Sequence, residues 1–173
     1  MKAHEKHRAS GPRKVSVVLV TVSTSRYSSK QRGEGWKDES REQAEREIAR
    51  LGYKVARAEL VSDEAAMIHG EVRRFLSGRD DVLVLMGGTG VSSRDITVET
   101  VRPLLEKELE GFGQLLRQVS YEKIGAAAML TRATAGVANG KLVFCLPGSP
   151  GAVKDALRAF GKEMPHALFV ARS

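Results

Sequence analysis

Short apolar runs separated by longer polar stretches set the pattern of this chain. Apolar segments at Val15–Val22, 81–86 and Lys141–Leu146 have the length of buried strands, and Tyr53–Val61 alternates enough to form another. The stretches between them place apolar residues at helical spacing. Strands that alternate with helices predict an α/β fold in which a mainly parallel sheet is covered on both faces.

Helix boundaries follow from capping residues and from apolar periodicity. Asp38–Leu51 places its apolar residues on one face, and Gly52 follows as a stop signal. The polar segment Ser23–Lys37 is predicted to be a loop. Further helices are predicted over 64–76 with Ser62 or Asp63 as the cap, from Thr97 to Leu109, within 113–130, and from Ser149-Pro150 onward.

One β-hairpin is predicted in the C-terminal half. Thr131–Ala138 and Lys141–Leu146 both have strand-like composition, and Asn139-Gly140 lies between them. This dipeptide suits tight hairpin turns because both of its residues tolerate positive φ. An antiparallel pair is therefore expected beside the parallel strands.

Composition restricts the class of protein. The 173 residues suit one domain with an ordinary core, and no segment approaches the ~20 apolar residues that a membrane span needs. The polar N-terminus shows no secretory signal, and the single cysteine, Cys145, lies in an apolar run. We therefore expect a cytoplasmic protein with a buried Cys145 and no membrane contact. The histidines show no metal-ligand spacing, so zinc is not expected.

The net charge of +7 is unevenly distributed. Residues 1–14 carry five basic side chains and one acidic side chain, which predicts a basic, flexible N-terminal arm ahead of a single domain at 15–173. Nucleic-acid binding needs a basic stripe interleaved with aromatic residues. Aromatic residues are scarce here and the basic residues are scattered among acidic ones, so a nucleic-acid partner is not expected.

Two of the predicted strands end in glycine-rich turns. The strand at 81–86 runs into Gly87-Gly88-Thr89-Gly90, and Lys141–Leu146 runs into Pro147-Gly148-Ser149-Pro150. Such turns expose backbone N–H groups where a phosphate or carboxylate can approach without meeting a Cβ. The glycines fit neither the dinucleotide fingerprint nor the Walker A spacing, and a tight turn alone would also use them.

The surroundings of the glycines favour a ligand site over a simple turn. Ser92 and Ser93 add hydroxyl donors and Arg94 adds a guanidinium group. A helix that begins at Ser149-Pro150 offers a second anion-binding terminus. In a parallel sheet both turns and the segment that begins at Ser23 lie at the carboxyl edge, where α/β proteins bind ligands.

Two aspartates have two interpretations each. Asp95 and Asp63 both precede a predicted helix, where aspartate is a favoured N-cap. An aspartate beside a phosphate cradle is also explained by Mg²⁺, which one or two carboxylates hold together with substrate phosphates. Spacing alone does not choose between a cap and a catalytic or metal-binding role for either residue.

Six groups of short motifs occur in order along the chain. They are Thr21-Val22-Ser23; Gly87-Gly88-Thr89-Gly90 with Arg94-Asp95-Ile96-Thr97; Glu110-Gly111-Phe112-Gly113; Arg117 to Ser120 before Ile124-Gly125; Ala128-Met129-Leu130-Thr131-Arg132-Ala133; and Pro147-Gly148-Ser149-Pro150-Gly151-Ala152. Together they resemble the MoaB/MogA family of molybdenum cofactor biosynthesis proteins, over nearly all of residues 15–172.

This resemblance implies a fold and an activity. The fold is a three-layer α/β/α sandwich that assembles as a homotrimer or homohexamer. The implied enzyme is a molybdopterin adenylyltransferase, which uses Mg²⁺ and ATP to adenylylate molybdopterin and releases pyrophosphate. The resemblance makes Asp63 and Asp95 the functional acidic pair, assigns nucleotide and pterin binding to the glycine turn, and places Pro147-Gly148-Ser149-Pro150 in the same pocket. It also allows contacts with other molybdenum cofactor enzymes.

One position departs from the family pattern. Many members continue Thr-Val-Ser with an aspartate, where this chain has Thr24, and Asp38-Glu39-Ser40 is the candidate for the acidic-serine element of the same loop. Two other functions stay open: a protein that binds or scaffolds molybdopterin without turnover, and a related nucleotide phosphoanhydride hydrolase. The single asparagine and the charge-rich helices favour a thermophilic source, which would favour tungsten as the final metal.

Overall fold

The computed structural model describes residues 11–12 and 14–173. Within this part of the chain the strands are β1 (Ser16–Val22), β2 (Lys54–Val61), β3 (Val82–Met86), β4 (Lys107–Glu108), β5 (Thr134–Ala138) and β6 (Lys141–Leu146). The helices are α1 (Thr24–Gln31), α2 (Glu39–Arg50), α3 (Ala65–Ser77), α4 (Thr97–Val101), α5 (Glu110–Ile124), α6 (Pro150–Phe160) and α7 (Met164–Ala171). Short 3-10 turns at Arg102–Leu104, Gly125–Leu130 and Gly161–Glu163 follow α4, α5 and α6.

The described strands form one sheet in the order β2-β1-β3-β6-β5-β4. β2, β1, β3 and β6 are parallel, whereas β5 runs antiparallel to both β6 and β4. The predicted hairpin is confirmed: Asn139 and Gly140 have φ of 51° and 66°, the positive values that a type I′ turn requires. The mainly parallel sheet predicted from the apolar runs is also confirmed.

Alternate strand residues pack against opposite helical layers. On β1, Val17 and Leu19 join a cluster with α2, α5, α6 and α7, whereas Val18 and Val20 join a second cluster with α3 and α4. Successive side chains of a strand point to opposite faces, so a strand buried on both faces reads as a continuous apolar run. The arrangement is the three-layer α/β/α sandwich expected from the resemblance.

Cys145 lies in the second of these clusters and is 1% exposed. Burial raises the pKa of its thiol to about 12, so the thiol is protonated at neutral pH. The prediction that Cys145 is a core residue is confirmed.

Three predicted elements need correction. The predicted loop Ser23–Lys37 contains helix α1, which buries no side chain and therefore gives no apolar periodicity. The predicted helix Thr97–Leu109 ends at Val101, because Pro103 cannot continue it and residues 106–109 pair with β5 instead. α5 begins at Glu110, earlier than expected, and gives way to a 3-10 turn at Gly125, whose φ is 60°.

The predicted basic arm at residues 1–14 lies outside the described residues except for residues 11, 12 and 14. Among the described residues, no helix combines the length and the apolar character that crossing a bilayer requires.

Asp81 ties the amino edge of the sheet together. Its Oδ2 accepts hydrogen bonds from the backbone N–H (2.8 Å) and the hydroxyl (3.0 Å) of Ser16, and its Oδ1 accepts one from Arg172 (2.7 Å). Burial on its own raises the pKa of Asp81, but the hydrogen bonds from Arg172 and Ser16 outweigh burial and lower that pKa below its ordinary value. The ionised form is therefore the one that stabilises the fold.

We expect Asp81→Asn to lower the free energy of unfolding by about 1–3 kcal/mol at pH 7, because charge-assisted hydrogen bonds are lost. A carboxyl group with a lowered folded-state pKa stabilises above its unfolded pKa of about 3.9, and this contribution disappears as the pH falls through the folded value. Urea denaturation at pH 7 and near pH 2.5 would show the difference between wild type and variant shrinking in acid. An equal difference at both pH values would contradict this assignment.

Candidate functional site

The carboxyl ends of the four parallel strands lie along one edge of the sheet. β1 ends before Ser23, β2 before Ser62-Asp63, β3 before Gly87 and β6 before Pro147. The backbone N–H of Ser23 donates to the carbonyl of Val61 (2.9 Å), and that of Gly87 donates to the carbonyl of Leu146 (3.0 Å). The fold therefore brings both glycine-rich turns and both aspartates predicted from the sequence to the carboxyl edge of the sheet.

The turn after β3 requires glycine at two positions. Gly87 and Gly88 have φ of 118° and 65°, a region that residues with a side chain rarely adopt. A Cβ at Gly87 would lie 2.2 Å from the carbonyl oxygen of Val22, and one at Gly88 would lie 2.3 Å from Oγ1 of Thr97. The glycines thus allow the turn to pass directly over its neighbours.

The same turn presents unpaired backbone donors. Within residues 11–12 and 14–173, no acceptor is bonded to the backbone N–H of Gly88, Thr89 or Gly90. The turn lines a cavity of about 440 Å³ together with Asp95, Ala127, Leu130, Thr131, Pro147 and Gly148. Consecutive unpaired N–H groups around a cavity form an arrangement that binds anions such as phosphate.

The helix-cap interpretation is wrong for both aspartates. α4 begins after Ile96 and α3 after Glu64, and neither helix has a side-chain cap. Oδ2 of Asp95 instead accepts a hydrogen bond from the backbone N–H of Ser92 (2.8 Å). Oδ2 of Asp63 accepts from the backbone N–H (2.7 Å) and the hydroxyl (2.8 Å) of Thr24.

The two carboxylates flank the glycine turn. A Cβ at Gly88 would lie 3.3 Å from Oδ1 of Asp63, and one at Gly90 would lie 2.9 Å from Oδ2 of Asp95. In the described part of the chain, no hydrogen-bond donor reaches Oδ1 of either aspartate. Each carboxylate therefore uses one oxygen to hold its own position and has the other oxygen available for a ligand.

This donor set fits magnesium that is shared with a substrate. Among the described residues, no group of three or more histidine, cysteine, aspartate or glutamate side chains forms a metal cage. Two carboxylates beside an anion-binding turn are nevertheless the donors that proteins supply when substrate phosphates complete the magnesium sphere. Asp63 and Asp95 are the residues that would hold the ion.

The remaining predicted site residues differ in their position relative to this cavity. Ser92 and Ser93 line an adjoining cavity of about 400 Å³ that shares Asp95 with the first. Arg94 is exposed, and its guanidinium group has no hydrogen-bond partner among the described residues. Ser23 caps α1, and Ser149 caps α6, of which Pro150 is the first residue. Ser23 and Asp63 stand at neighbouring strand ends. The predicted site residues that line neither cavity are Ser23, Asp63, Arg94, Ser149 and Pro150.

Arg132 is a site residue that sequence reasoning missed. Its backbone N–H donates to the carbonyl of Thr89 (2.9 Å), and its side chain donates to the carbonyls of Gly90 (2.7 Å) and Asp95 (2.9 Å). It also forms an ion pair with Glu99, and this hydrogen bond lowers the pKa of that carboxyl. Arg132 thereby fixes the glycine turn relative to Asp95. Its place in the motif at 128–133 was the only available signal.

Three buried side chains form hydrogen bonds that hold the turns and strand ends of the site in place. Thr97 is buried, and its hydroxyl donates to the carbonyl of Gly87 (2.8 Å). Asp38 and Ser40, from the predicted acidic-serine element, are also buried. Asp38 accepts a hydrogen bond from Thr21 (2.6 Å), and the Ser40 hydroxyl donates to the carbonyl of Gly148. This element therefore connects β1 to α2 and fixes the position of the turn at Gly148.

A family model and several known proteins match this chain. A family model described as "Probable molybdopterin binding domain" matches residues 18–166. "Molybdenum cofactor biosynthesis protein B" of Staphylococcus aureus (strain Mu50) is 49% identical over 111 residues, which is 63% of this chain and 66% of that protein. The aligned segment thus spans just under two thirds of that relative.

Two further proteins match over nearly the whole chain. "Probable molybdopterin adenylyltransferase" of Methanocaldococcus jannaschii is 37% identical over 89% of this chain and 92% of its own. The crystal structure of the "tungsten cofactor synthesizing protein MoaB" from Pyrococcus furiosus superimposes with a TM-score of 0.82 at 36% identity, and covers 94% of this chain and 99% of its own.

Proposed function

The chain belongs to the molybdopterin-binding domain family that includes the MoaB and MogA proteins, and we propose that it acts in molybdenum or tungsten cofactor biosynthesis as a molybdopterin adenylyltransferase. One arrangement supports the proposal most directly. Three consecutive unpaired N–H groups of the glycine turn line a cavity, and two aspartates, each with one unbonded oxygen, lie on either side of that turn. Backbone N–H groups of this kind bind phosphate, and carboxylates beside them bind the magnesium that accompanies phosphate groups.

The proposed reaction joins two phosphate groups. An oxygen of the terminal phosphate of molybdopterin attacks the α-phosphorus of ATP. The bond from that phosphorus to the oxygen bridging to the β-phosphate breaks, so pyrophosphate leaves and molybdopterin–AMP forms. Such transfers depend on positioning and on charge stabilisation more than on a protein nucleophile. No protein nucleophile is required by this scheme, and the buried, protonated Cys145 is not one.

The residues divide this work between them. The N–H groups of Gly88, Thr89 and Gly90 bind phosphate oxygens, and the exposed guanidinium of Arg94 attracts the anionic substrates. Asp63 and Asp95 would hold Mg²⁺, which neutralises phosphate charge during transfer. Arg132 and Thr97 keep the turn in its conformation, so both are positioning residues.

The test is pyrophosphate release from Mg-ATP with and without molybdopterin. We expect release that depends on the pterin. Pterin binding without release would make the chain a carrier or scaffold. AMP release from ADP-ribose in the absence of any pterin would instead identify a nucleotide phosphoanhydride hydrolase.

A homotrimer or homohexamer is part of the same proposal. Exposed apolar side chains concentrate on α5 and the turn that follows it, with Met129 75% exposed, and they also include Leu115, Tyr121, Ile124 and Leu130. Exposed apolar surface of this kind is typical of an interface. Sedimentation equilibrium should give three or six chains per particle, and a particle of one chain at all concentrations would contradict the proposal.

A further inference from the structure

Trp36 is the only tryptophan of the chain, and the proposed reaction has so far given it no role. It lies on the segment that connects α1 to α2, and its side chain is half-buried. The guanidinium carbon of Arg41 lies 5.6 Å from the centroid of the ring, which is a cation–π arrangement. In the part of the chain that the structure describes, no other aromatic ring packs against Trp36.

The segment that carries Trp36 is anchored at the carboxyl edge of the sheet. The guanidinium Nε of Arg26 donates to the carbonyl of Lys37 (3.1 Å). Asp38 is bonded to Thr21 near the end of β1. Two peptide units separate Trp36 from Asp38, so their Cα atoms are at most about 7 Å apart. Trp36 is therefore held close to the strand ends that carry the proposed site.

A second anchor connects this segment to the cavity itself. The hydroxyl of Ser40 donates to the carbonyl of Gly148, and Gly148 lines the same cavity as the glycine turn at 87–90. The chain from Trp36 to Ser40 thus leads from the exposed connection to a residue that is bonded to the cavity wall. A ligand bound over Gly88 and Gly148 would therefore lie beside Ser40, the residue that anchors this connection.

Arg41 has unused hydrogen-bonding capacity beside the ring. Its Nε is buried and has no hydrogen-bond partner among the described residues, and the nearest carboxylate, Glu45, lies 3.6 Å away in an ion pair. The surroundings are basic as well, because residues 24–41 carry five basic and three acidic side chains. The indole offers a flat aromatic surface, and the Arg41 guanidinium lies over its ring. Together with the basic surroundings, this arrangement suits a planar ring that carries phosphate.

We propose that Trp36 stacks on the nitrogen heterocycle of a phosphorylated substrate, either the adenine of ATP or the pterin, with Arg41 orienting the indole. This assignment rests on the proposed function and deepens it, since it names the part of the substrate that the connection recognises. Stacking of a base on an aromatic side chain commonly changes affinity by tenfold or more.

The sole tryptophan allows a direct test on the full-length protein. Fluorescence at its emission maximum should change saturably with Mg-ATP, with molybdopterin, or with both, and inorganic pyrophosphate, which has no ring, should leave it unchanged. Equilibrium dialysis measures the same affinities without using the fluorophore. Trp36→Ala should weaken binding of the stacked ligand at least about tenfold, and Trp36→Phe should restore most of the affinity.

The comparison of ligands identifies the ring, because only the stacked one loses affinity in Trp36→Ala. Full affinity in Trp36→Ala, or an equal fluorescence change with pyrophosphate, would overturn the stacking assignment alone. Wild-type protein that binds neither ATP nor molybdopterin in dialysis would overturn the proposed function, and the stacking assignment with it. Denaturation midpoints of the variants, measured in parallel, show that they are folded.

Discussion

Replacing Asp95 by asparagine is expected to reduce molybdopterin-dependent pyrophosphate release by about 100-fold or more and to change pterin affinity by only several-fold. The amide has the size of the carboxyl group, and its oxygen can still accept the hydrogen bond from the N–H of Ser92. What it loses is the negative charge that would hold magnesium against the phosphates. Since Asp95 caps no helix, the free energy of unfolding should change little.

Asp80→Asn is the matched control for this experiment. Asp80 immediately precedes Asp81 and β3, at the amino edge of the sheet, so the same chemical change falls at the opposite end of the strand from Asp95. Its pyrophosphate release should equal that of the wild type. Normal turnover in Asp95→Asn would remove Asp95 from the catalytic machinery. A matching loss in the Asp80 variant would show that the assay reports a general effect of lost charge.

Three central strands of the sheet were predictable because they are buried on both faces. β1, β3 and β6 leave no polar alternation, and each reads as an apolar run of strand length. The hairpin was predictable for a local reason, because Asn139 and Gly140 both adopt the positive φ that their side chains tolerate. In both cases the signal lies within a few residues of the element it describes.

The elements that were predicted wrongly depend on contacts with residues far away in the sequence. α1 buries no side chain, and its first residue, Thr24, is bonded to Asp63 on the neighbouring strand end. β4 is two residues long and exists because residues 106–109 pair with β5. Neither the contact with Asp63 nor the pairing with β5 leaves a periodic pattern in the sequence.

The same difference between local signals and distant contacts applies to the candidate site. The glycine turns and both aspartates could be placed together from sequence, because parallel strands end at one edge. Arg132 could not, since its hydrogen bond to Gly90 joins residues 42 positions apart. Rejecting the helix-cap interpretation of Asp63 and Asp95 also needed the structure, because the N-cap positions fall at the residues that follow them and neither helix has a side-chain cap.

Gly88→Ala is expected to abolish measurable binding of ATP and molybdopterin and to destabilise the fold by roughly 2–4 kcal/mol. Two effects combine at this position. The backbone has φ of 65°, which costs a residue with a Cβ roughly 1–2 kcal/mol. The new methyl group would also lie 2.3 Å from Oγ1 of Thr97 and 3.3 Å from Oδ1 of Asp63, so the turn must shift away from both.

Gly52→Ala separates these two effects. Gly52 lies between α2 and β2, away from the cavity, and has φ of 77°, close to that of Gly88, but a Cβ there meets no atom within 4 Å. It should therefore show only the backbone cost and keep its ligand affinity. Urea denaturation measures the two stabilities, and equilibrium dialysis measures the two affinities. If both variants lost stability equally and both still bound ligand, the contact with Thr97 would have no consequence and the turn would be a structural feature alone. A folded Gly88→Ala protein without ligand affinity, beside a Gly52→Ala protein that binds normally, would assign anion binding to the shape of this turn, because its N–H groups meet a phosphate only while the glycine backbone stays close to Thr97 and Asp63.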